Sequence, residues 1–287
     1  MKSFEYFEPT TLDEAVGLLQ QFNGHTSILA GGTDLLVEIK EQLRRVDHLV
    51  NIKKIPGLNQ LSWDEKDGLR MGSLATVREV ETSPIVNRHY AGLAQAAREL
   101  GSIQVRNRAT VAGNICRASP SADTLPALLA DLATIKLVGP DGQRSVPMGE
   151  FFTGPGRTVM NAAEILVEID VPAPPAHTGK SYIKHGRRKA MELATVGVAV
   201  ALTLDGNICR EIRIVLGAVA PTPIRAPLAE AILRGNGIDE ELIALAAIQA
   251  MQESRPISDV RSSADYRREM VRVQTGRAIK LALERAR

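Results

Sequence analysis

The apolar positions of the first half of the chain change period repeatedly. Ala15, Leu18, Leu19 and Phe22 recur at helical spacing behind Thr10 and Thr11, either of which can cap a helix, and Asp13 and Glu14 fall in its first turn. Asn23-Gly24 is the expected stop. Residues 27–29 then read as a strand, residues 35–40 as a helix and residues 48–52 as another short strand. Leu61, Trp63, Leu69 and Met71 alternate around Asp67-Gly68, which signals a hairpin. Residues 87–100 carry Leu93, Ala96, Ala97 and Leu100 on one helical face, with Gly101 as the stop. From Gly101 to Ala122 no period stands out, and an irregular run of that length in a compact domain points to a ligand loop.

Residues 124–132 form a short apolar helix by pattern, and residues 134–138, 144–147 and 165–171 read as strands. Pro172-Ala173-Pro174-Pro175 interrupts whatever precedes it and is the best domain boundary in the sequence. Beyond it come strands at 181–185, 194–204 and 208–218, the last two joined at Asp205-Gly206-Asn207, then helical periods over 228–234, 239–252 and 264–285. Strands first and helices afterwards imply an α+β unit. The expected organisation is a two-lobed α+β domain over residues 1–175, with lobes of 1–55 and 56–175. A smaller α+β domain follows over residues 176–287, with an antiparallel sheet and C-terminal helices.

Two stretches carry candidate chemistry. In Leu29-Ala30-Gly31-Gly32-Thr33-Asp34-Leu35-Leu36, adjacent glycines sit between the strand and the helix. Glycine lets the backbone turn sharply and approach a ligand, and successive free N–H groups in such a turn form a nest for anions. The second stretch, Thr110-Val111-Ala112-Gly113-Asn114-Ile115-Cys116, is followed by Ser119-Pro120-Ser121-Ala122-Asp123. It offers a close-approach glycine, hydroxyls, an amide and a carboxylate. Together the stretches supply donors for a nucleotide diphosphate and an acceptor for its hydroxyls, without the G-x-G-x-x-G turn of a Rossmann site.

Both stretches, in this order and separation, resemble the FAD-binding subunit of molybdenum hydroxylases, nearest to that of bacterial xanthine dehydrogenases and further from the medium subunit of carbon monoxide dehydrogenases. The likeness also covers Phe4-Glu5-Tyr6-Phe7-Glu8-Pro9, Leu12-Asp13-Glu14-Ala15, Ile103-Gln104-Val105-Arg106-Asn107, Thr153-Gly154-Pro155-Gly156 and Ala220-Pro221-Thr222-Pro223-Ile224-Arg225. It implies a two-lobed FAD-binding domain of the PCMH type. By resemblance, residues Leu29, Ala30, Gly31, Gly32, Thr33, Asp34, Leu35 and Leu36 match the first flavin loop, whose amides bind pyrophosphate. Asp34 would repel a diphosphate, so it is expected to turn away and accept local backbone bonds. Thr110, Val111, Ala112, Gly113 and Asn114 match the second loop, with Gly113 at closest approach, and Asp123 matches an acid contacting an FAD hydroxyl. Ile165 or Leu166 matches an apolar position whose backbone meets the ring system or adenine. Lys184 matches a lysine near the flavin, or else is a surface lysine; Gly101 either belongs to the site or ends a helix.

Composition narrows the picture. At 44% apolar and 24% charged residues the chain is of ordinary globular type. A net charge of +2 gives no reason to expect nucleic acid, and the basic runs at 184–189 and 267–287 read as solvated surface. Arg106, Arg108, Arg187 and Arg188 are candidates for a docking surface or acceptor mouth, or are likewise solvated. Two cysteines, Cys116 and Cys209, exclude a four-cysteine iron–sulfur cluster within the chain, and Cys116 reads as a small buried thiol. The five histidines show no metal-ligand spacing. Aromatics at 3% leave Tyr182, Trp63 and a few Phe to stack on a flavin, so backbone and aliphatic side chains must form most of its walls. The opening lacks a secretory pattern, and the longest apolar run, 194–204, is too short to span a bilayer, so no membrane association and a cytoplasmic location are expected.

The resemblance implies an oxidoreductase subunit that carries FAD and needs no catalytic side chain of its own. Molybdopterin would reside in a large partner subunit and [2Fe-2S] clusters in a small one. Electrons would reach FAD from the clusters and leave to NAD⁺ or another acceptor. The rivals are a self-sufficient FAD oxidoreductase and a non-redox nucleotide-binding assembly protein.

Overall fold

A parallel three-stranded sheet opens the chain in the computed structural model, which describes residues 2–22 and 24–287. Strands β1 (Glu5–Phe7) and β2 (Thr26–Leu29) flank β3 (His48–Asn51), with helices α1 (Leu12–Gln21) and α2 (Leu35–Lys40) as the crossovers. Thr11, rather than Thr10, caps α1 and accepts from the Glu14 N–H at 3.2 Å. Asn23 of the expected stop lies outside the described residues; Gly24 adopts φ +112°. Ala15, Val16 and Leu19 of α1 bury against Val50, Ile52 and Ile165, so the first core includes a residue from far along the chain.

A five-stranded antiparallel sheet follows, in the order β4-β5-β10-β6-β7. Its hairpin β4 (Leu61–Asp64) and β5 (Gly68–Gly72) leads into a helical layer of α3 (Val77–Thr82), α4 (Pro84–His89), α5 (Ala91–Glu99), α6 (Ile103–Arg106), α7 (Val111–Arg117) and α8 (Thr124–Ala130). Strands β6 (Thr134–Gly139) and β7 (Gly142–Pro147), helix α9 (Met148–Phe151), the small pair β8 (Phe152–Gly154) and β9 (Arg157–Thr158), and β10 (Ile165–Val171) complete the unit. Two expectations need correction. The single helix over 87–100 is two helices that break at Tyr90 (φ −132°, ψ 49°), whose buried hydroxyl donates to the carbonyls of Val171 and Pro172 at 3.1 and 2.9 Å. The irregular run from Gly101 to Ala122 contains α6 and α7, each capped by its own hydroxyl, Ser102 and Thr110.

The last sheet is antiparallel, β11 (Thr178–His185), β12 (Val196–Asp205), β13 (Ile208–Gly217) and β14 (Ile224–Arg225), followed by α10 (Pro227–Leu233), α11 (Glu240–Glu253) and α12 (Ala264–Ala286). Side chains alternate across a strand, and β12 uses the alternation to serve two cores. Val196, Val198, Val200, Leu202 and Leu204 face the C-terminal helices, while the small Ala199 and Ala201 join the core built around α5 and α8. The mixed helix and sheet architecture, with an antiparallel sheet and a long C-terminal helix in its last part, agrees with the expected α+β class.

Arg267 departs from its reading as surface. It is 2% exposed, donates from Nη1 to the carbonyls of Thr195 and Ala218 at 3.0 Å each, and pairs through Nη2 with Asp259 at 2.8 Å. It therefore ties α12 to the ends of β12 and β13. Replacing Arg267 by Ala strands two buried carbonyls and should lower unfolding free energy by roughly 3 kcal/mol. Arg268→Ala, which breaks an exposed pair with Asp265, should change it by less than about 0.5 kcal/mol. Urea midpoints of the two variants measure the contrast.

Candidate functional site

The glycine stretch leaves β2 at buried Leu29, which pairs with Asn51 of β3, and turns into α2. Gly32 makes the turn: its φ is +75°, and a Cβ there would meet the Leu29 and Leu36 side chains. Gly31 does a different job. A Cβ on it would overlap the carbonyl oxygen of Arg108 and crowd Ala109, so the segment leading into the second stretch lies directly on this glycine. The N–H groups of Gly31, Gly32, Thr33, Asp34 and Leu35 donate to no acceptor among the described residues, while that of Leu36 bonds the Gly32 carbonyl at 3.0 Å. A run of unpaired N–H groups around a left-handed residue is a concave anion receptor. Lys53, which donates to Asn51 Oδ1 at 3.2 Å, adds positive charge nearby. Burial lowers the Lys53 pKa, and the Arg108 guanidinium lowers it further.

The second stretch is a helix start rather than a loop. Thr110 caps α7, accepting from the Gly113 N–H at 2.9 Å, and the Val111 N–H is taken by the Ala75 carbonyl. Val111 and Ala112 are buried, so only their backbone can reach a ligand. Gly113 is exposed, and a Cβ on it would meet only Thr110 Oγ1. Asn114 Oδ1 accepts from Thr124 Oγ1 at 2.7 Å, which connects α7 to the start of α8. At the other end of α7, Arg117 pairs with Glu38 of α2 at 2.7 Å. Both ends of α7 are thus fastened, one to its neighbour α8 and one to the helix of the glycine stretch.

Asp123, next to Thr124, is buried, and each of its carboxylate oxygens accepts one hydrogen bond. Tyr182 of β11 donates its hydroxyl to Oδ1 at 2.8 Å, and Lys184 donates to Oδ2 at 2.9 Å. Lys184 also donates to the carbonyls of Glu99 and Glu192, at 2.9 and 2.7 Å, so its three ammonium hydrogens have partners. Its reading as a surface lysine is ruled out by this burial. Burial pushes the Asp123 carboxyl up to about 6, against Lys184 and Tyr182, which pull it down. Burial likewise raises the Tyr182 hydroxyl.

The remaining predicted residues divide. Ala30 and Thr33 lie half-buried in the glycine turn, and Leu35 packs on the small core around Leu29 and Ile39. Leu36 is exposed. Asp34 turns outward as expected, but its side chain makes no helix-cap bond and stands 4.0 Å from Arg117, so the expected local backbone bonds are replaced by a loose ion pair. Ile165 and Leu166 begin β10, beside α7, with side chains buried in different cores. Gly101 follows α5 at φ +54° and accepts from the Met191 N–H at 3.4 Å, so it does end a helix. Cys116 is exposed rather than buried, with Sγ 3.8 Å from Met160 Sδ. Arg106 is no surface group: it is buried in an ion pair with Glu81 at 2.7 Å. Arg108, Arg187 and Arg188 are exposed. Sequence reasoning missed Thr124 and Arg117. Thr124 left a signal, as a lone hydroxyl heading an apolar helix; Arg117 left none.

These contacts run unbroken from Gly31 through Arg108, Thr110 and Asn114 to Thr124, Asp123 and Lys184. They belong to an α+β protein whose glycine turn is not of the Rossmann type. Residues 2–174 match the family described as the FAD binding domain in molybdopterin dehydrogenase, and residues 181–282 match the CO dehydrogenase flavoprotein C-terminal domain. The chain is 34% identical to a putative xanthine dehydrogenase FAD-binding subunit of Escherichia coli K12, covering 98% of this chain and 96% of that one. It is 36% identical to a carbon monoxide dehydrogenase medium chain of Hydrogenophaga pseudoflava, covering 98% of each. A solved carbon monoxide dehydrogenase from the same organism, lacking the Mo-pyranopterin moiety of its molybdenum cofactor, superposes with TM-score 0.95 at 37% identity, over 99% of this chain and 98% of that one. The chain belongs to the FAD-binding subunits of the molybdenum hydroxylase family and is an oxidoreductase subunit carrying an FAD-binding domain.

The raised Asp123 pKa fixes a sign. The folded state holds this proton more tightly than the unfolded chain, so the carboxyl's contribution is stabilising at low pH and is lost as pH rises between 3.8 and about 6. Relative to Asp123→Asn, the wild type should lose stability across that window and then run parallel. Paired thermal melts of the two proteins at intervals through the window test the slope.

Proposed function

We propose that the chain holds FAD between the glycine turn and the start of α7 and works as the electron exit of a molybdenum hydroxylase. The observation that carries the reading is the run of five unpaired N–H groups from Gly31 to Leu35 beside Lys53 and Arg108. These groups suit the FAD pyrophosphate, with Thr33 adding a hydroxyl; the exposed backbone at Gly113 and the Asn114 amide border the same ligand. The backbone at the start of β10, at Ile165 or Leu166, meets the ring system or the adenine. Asp123 and Lys184 act as a pre-organised neutral pair, with Tyr182 fixing the carboxylate; Asp123 reaches an FAD hydroxyl through its remaining lone pairs. When bound, FAD accepts electrons singly and releases them as a pair, which suits a junction between one-electron clusters and a two-electron acceptor.

The donor belongs to other chains in this reading. Two cysteines cannot supply the four protein ligands of a usual cluster, and Cys209 is committed to the core of the last sheet. We place [2Fe-2S] clusters on a small subunit and molybdopterin on a large one, with NAD⁺ or another acceptor taking the electrons from this chain. Residues 1–175 would form the FAD-binding domain and residues 176–287 the C-terminal domain, in a cytoplasmic complex. Expressed alone, the chain should be yellow, bleach with dithionite, and pass electrons from NADH to a dye at most. Co-expression with its molybdenum and iron–sulfur partners should restore molybdenum-dependent oxidation of an organic substrate. Metal-free oxidation of such a substrate by the single chain would instead establish a self-sufficient flavoenzyme, and a colourless chain an assembly protein.

Glycine variants separate the roles of the site. A Cβ in Gly113→Val meets only Thr110 Oγ1, at 3.0 Å, so folding should fall little while the branched side chain crowds the exposed backbone there and FAD affinity falls at least about tenfold. Gly31→Ala and Gly32→Val should cost both, one by parting the two stretches and the other by forcing a branched residue to positive φ. Flavin titration alongside urea unfolding reads both effects, and unchanged FAD affinity in Gly113→Val would remove α7 from the site.

A further inference from the structure

A second cavity lies away from the glycine turn, between the end of α4, the first turns of α5, the start of β11 and the end of α12. Its volume is about 350 Å³. Arg88, His89, Arg98, Lys180 and Arg285 line it, together with polar side chains such as Gln95, and no carboxylate belongs to its wall. Lys180 is neutralised by buried Asp131 at 2.7 Å and sits 3.9 Å over the Tyr90 ring. Arg285 is spent on positioning, donating to the Lys180 carbonyl and to Gln95 Oε1 at 2.6 and 2.9 Å. Arg88 and Arg98 have no ion pair or side-chain hydrogen bond among the described residues, and neither has His89, which stacks on Trp63 at 4.4 Å.

Arg88 and Arg98 are exposed and His89 is half-buried along one concave wall, so all three remain free to take up an anion. Two guanidinium forks match the oxygens of a tetrahedral dianion better than a lone carboxylate. The volume falls at the lower end of small-molecule pockets, roughly 300–1,000 Å³, which leaves room for a phosphate with a small organic body. The groups acting on His89 agree: burial lowers its pKa first, then Arg88 and Lys180, with only Glu65 opposing.

We propose that this cavity is a binding site for a small phosphate monoester, held by Arg88 and Arg98 with His89 as a third donor. The site is independent of the flavin, since none of the residues assigned to FAD lines it. An occupant there would bridge α4 and α5 to β11 and α12, and would stiffen the contact between the helical layer and the last sheet. Phosphate ester concentration would then act on the subunit without touching its cofactor.

The test uses the full-length chain loaded with FAD, so that the diphosphate receptor is already filled. Isothermal titration with inorganic phosphate and with ribose 5-phosphate, in moderate salt, should give saturable binding of one equivalent, whereas ribose gives none. Arg88→Gln/Arg98→Gln should weaken both dianions at least about tenfold while FAD content and the visible spectrum stay unchanged. In parallel, the His89 ring resonances should titrate at higher pH with phosphate present, because a dianion opposes Arg88 and Lys180 and favours the imidazolium. Equal binding by the double variant, a His89 titration that phosphate does not move, or no saturable binding by the wild type would each overturn the proposal.

Discussion

The absence of one carbon atom organises this site. Gly31 has the Arg108 carbonyl where a side chain would begin, so two stretches far apart in sequence meet backbone to backbone. Everything near the glycine turn depends on that approach. It brings α7 alongside α2, lets Arg117 reach Glu38, and sets Arg108 near Lys53. Had the stretches been held apart by even a methyl group, the unpaired N–H row would face solvent alone and lose its second wall. The constraint is steric and local, but its effect is to seat the start of α7 against the glycine turn.

The Asp123–Lys184 pair is the second fixed point. Burying such a pair is expensive unless each partner is hydrogen-bonded to satisfaction, and here each is. Lys184 spends its other hydrogens on the carbonyls of Glu99 and Glu192, gathering the end of α5 and the loop after β11 around one ammonium group. Tyr182 fixes the carboxylate from the same strand. The pair thus joins helices α5 and α8 to β11 as one rigid group of little net charge. The loss of either charge would leave the other buried alone.

Much of this was legible in the sequence, and the reasons are specific. Long periodic or alternating segments, such as α11, α12, β12 and the β4–β5 hairpin, announced themselves because one face of each is apolar. The turn at Gly31-Gly32 was readable because adjacent glycines stood between an apolar run and a helical segment, while Asp123 was singled out only through the family resemblance. Three short helices went unread: α3, α6 and α7 span six, four and seven residues, lack the continuous apolar runs of equally short α2 and α8, and rest on their caps. Thr76 and Glu79 of α3 form a capping box that the sequence spells out, and it went unread because no apolar run follows. The burial of Arg106, Lys184 and Arg267 was invisible for a different reason. A basic residue enters a core only when distant carbonyls and carboxylates come to meet it, and those partners, from Glu81 to Thr195 and Ala218, are assembled by the fold alone.

The two-faced character of β12 carries a consequence for how the molecule comes apart. Its valines and leucines belong to one core and its alanines to another, and nine of its ten residues are buried. Neither core can open without stripping solvent protection from the strand that also walls the other. Amide protons along β12 therefore exchange only through openings that involve both cores, and the strand becomes the last refuge of slow exchange. A strand shared in this way couples the two larger sheets, so heat or denaturant should release the helical layer and the C-terminal helices together rather than in sequence.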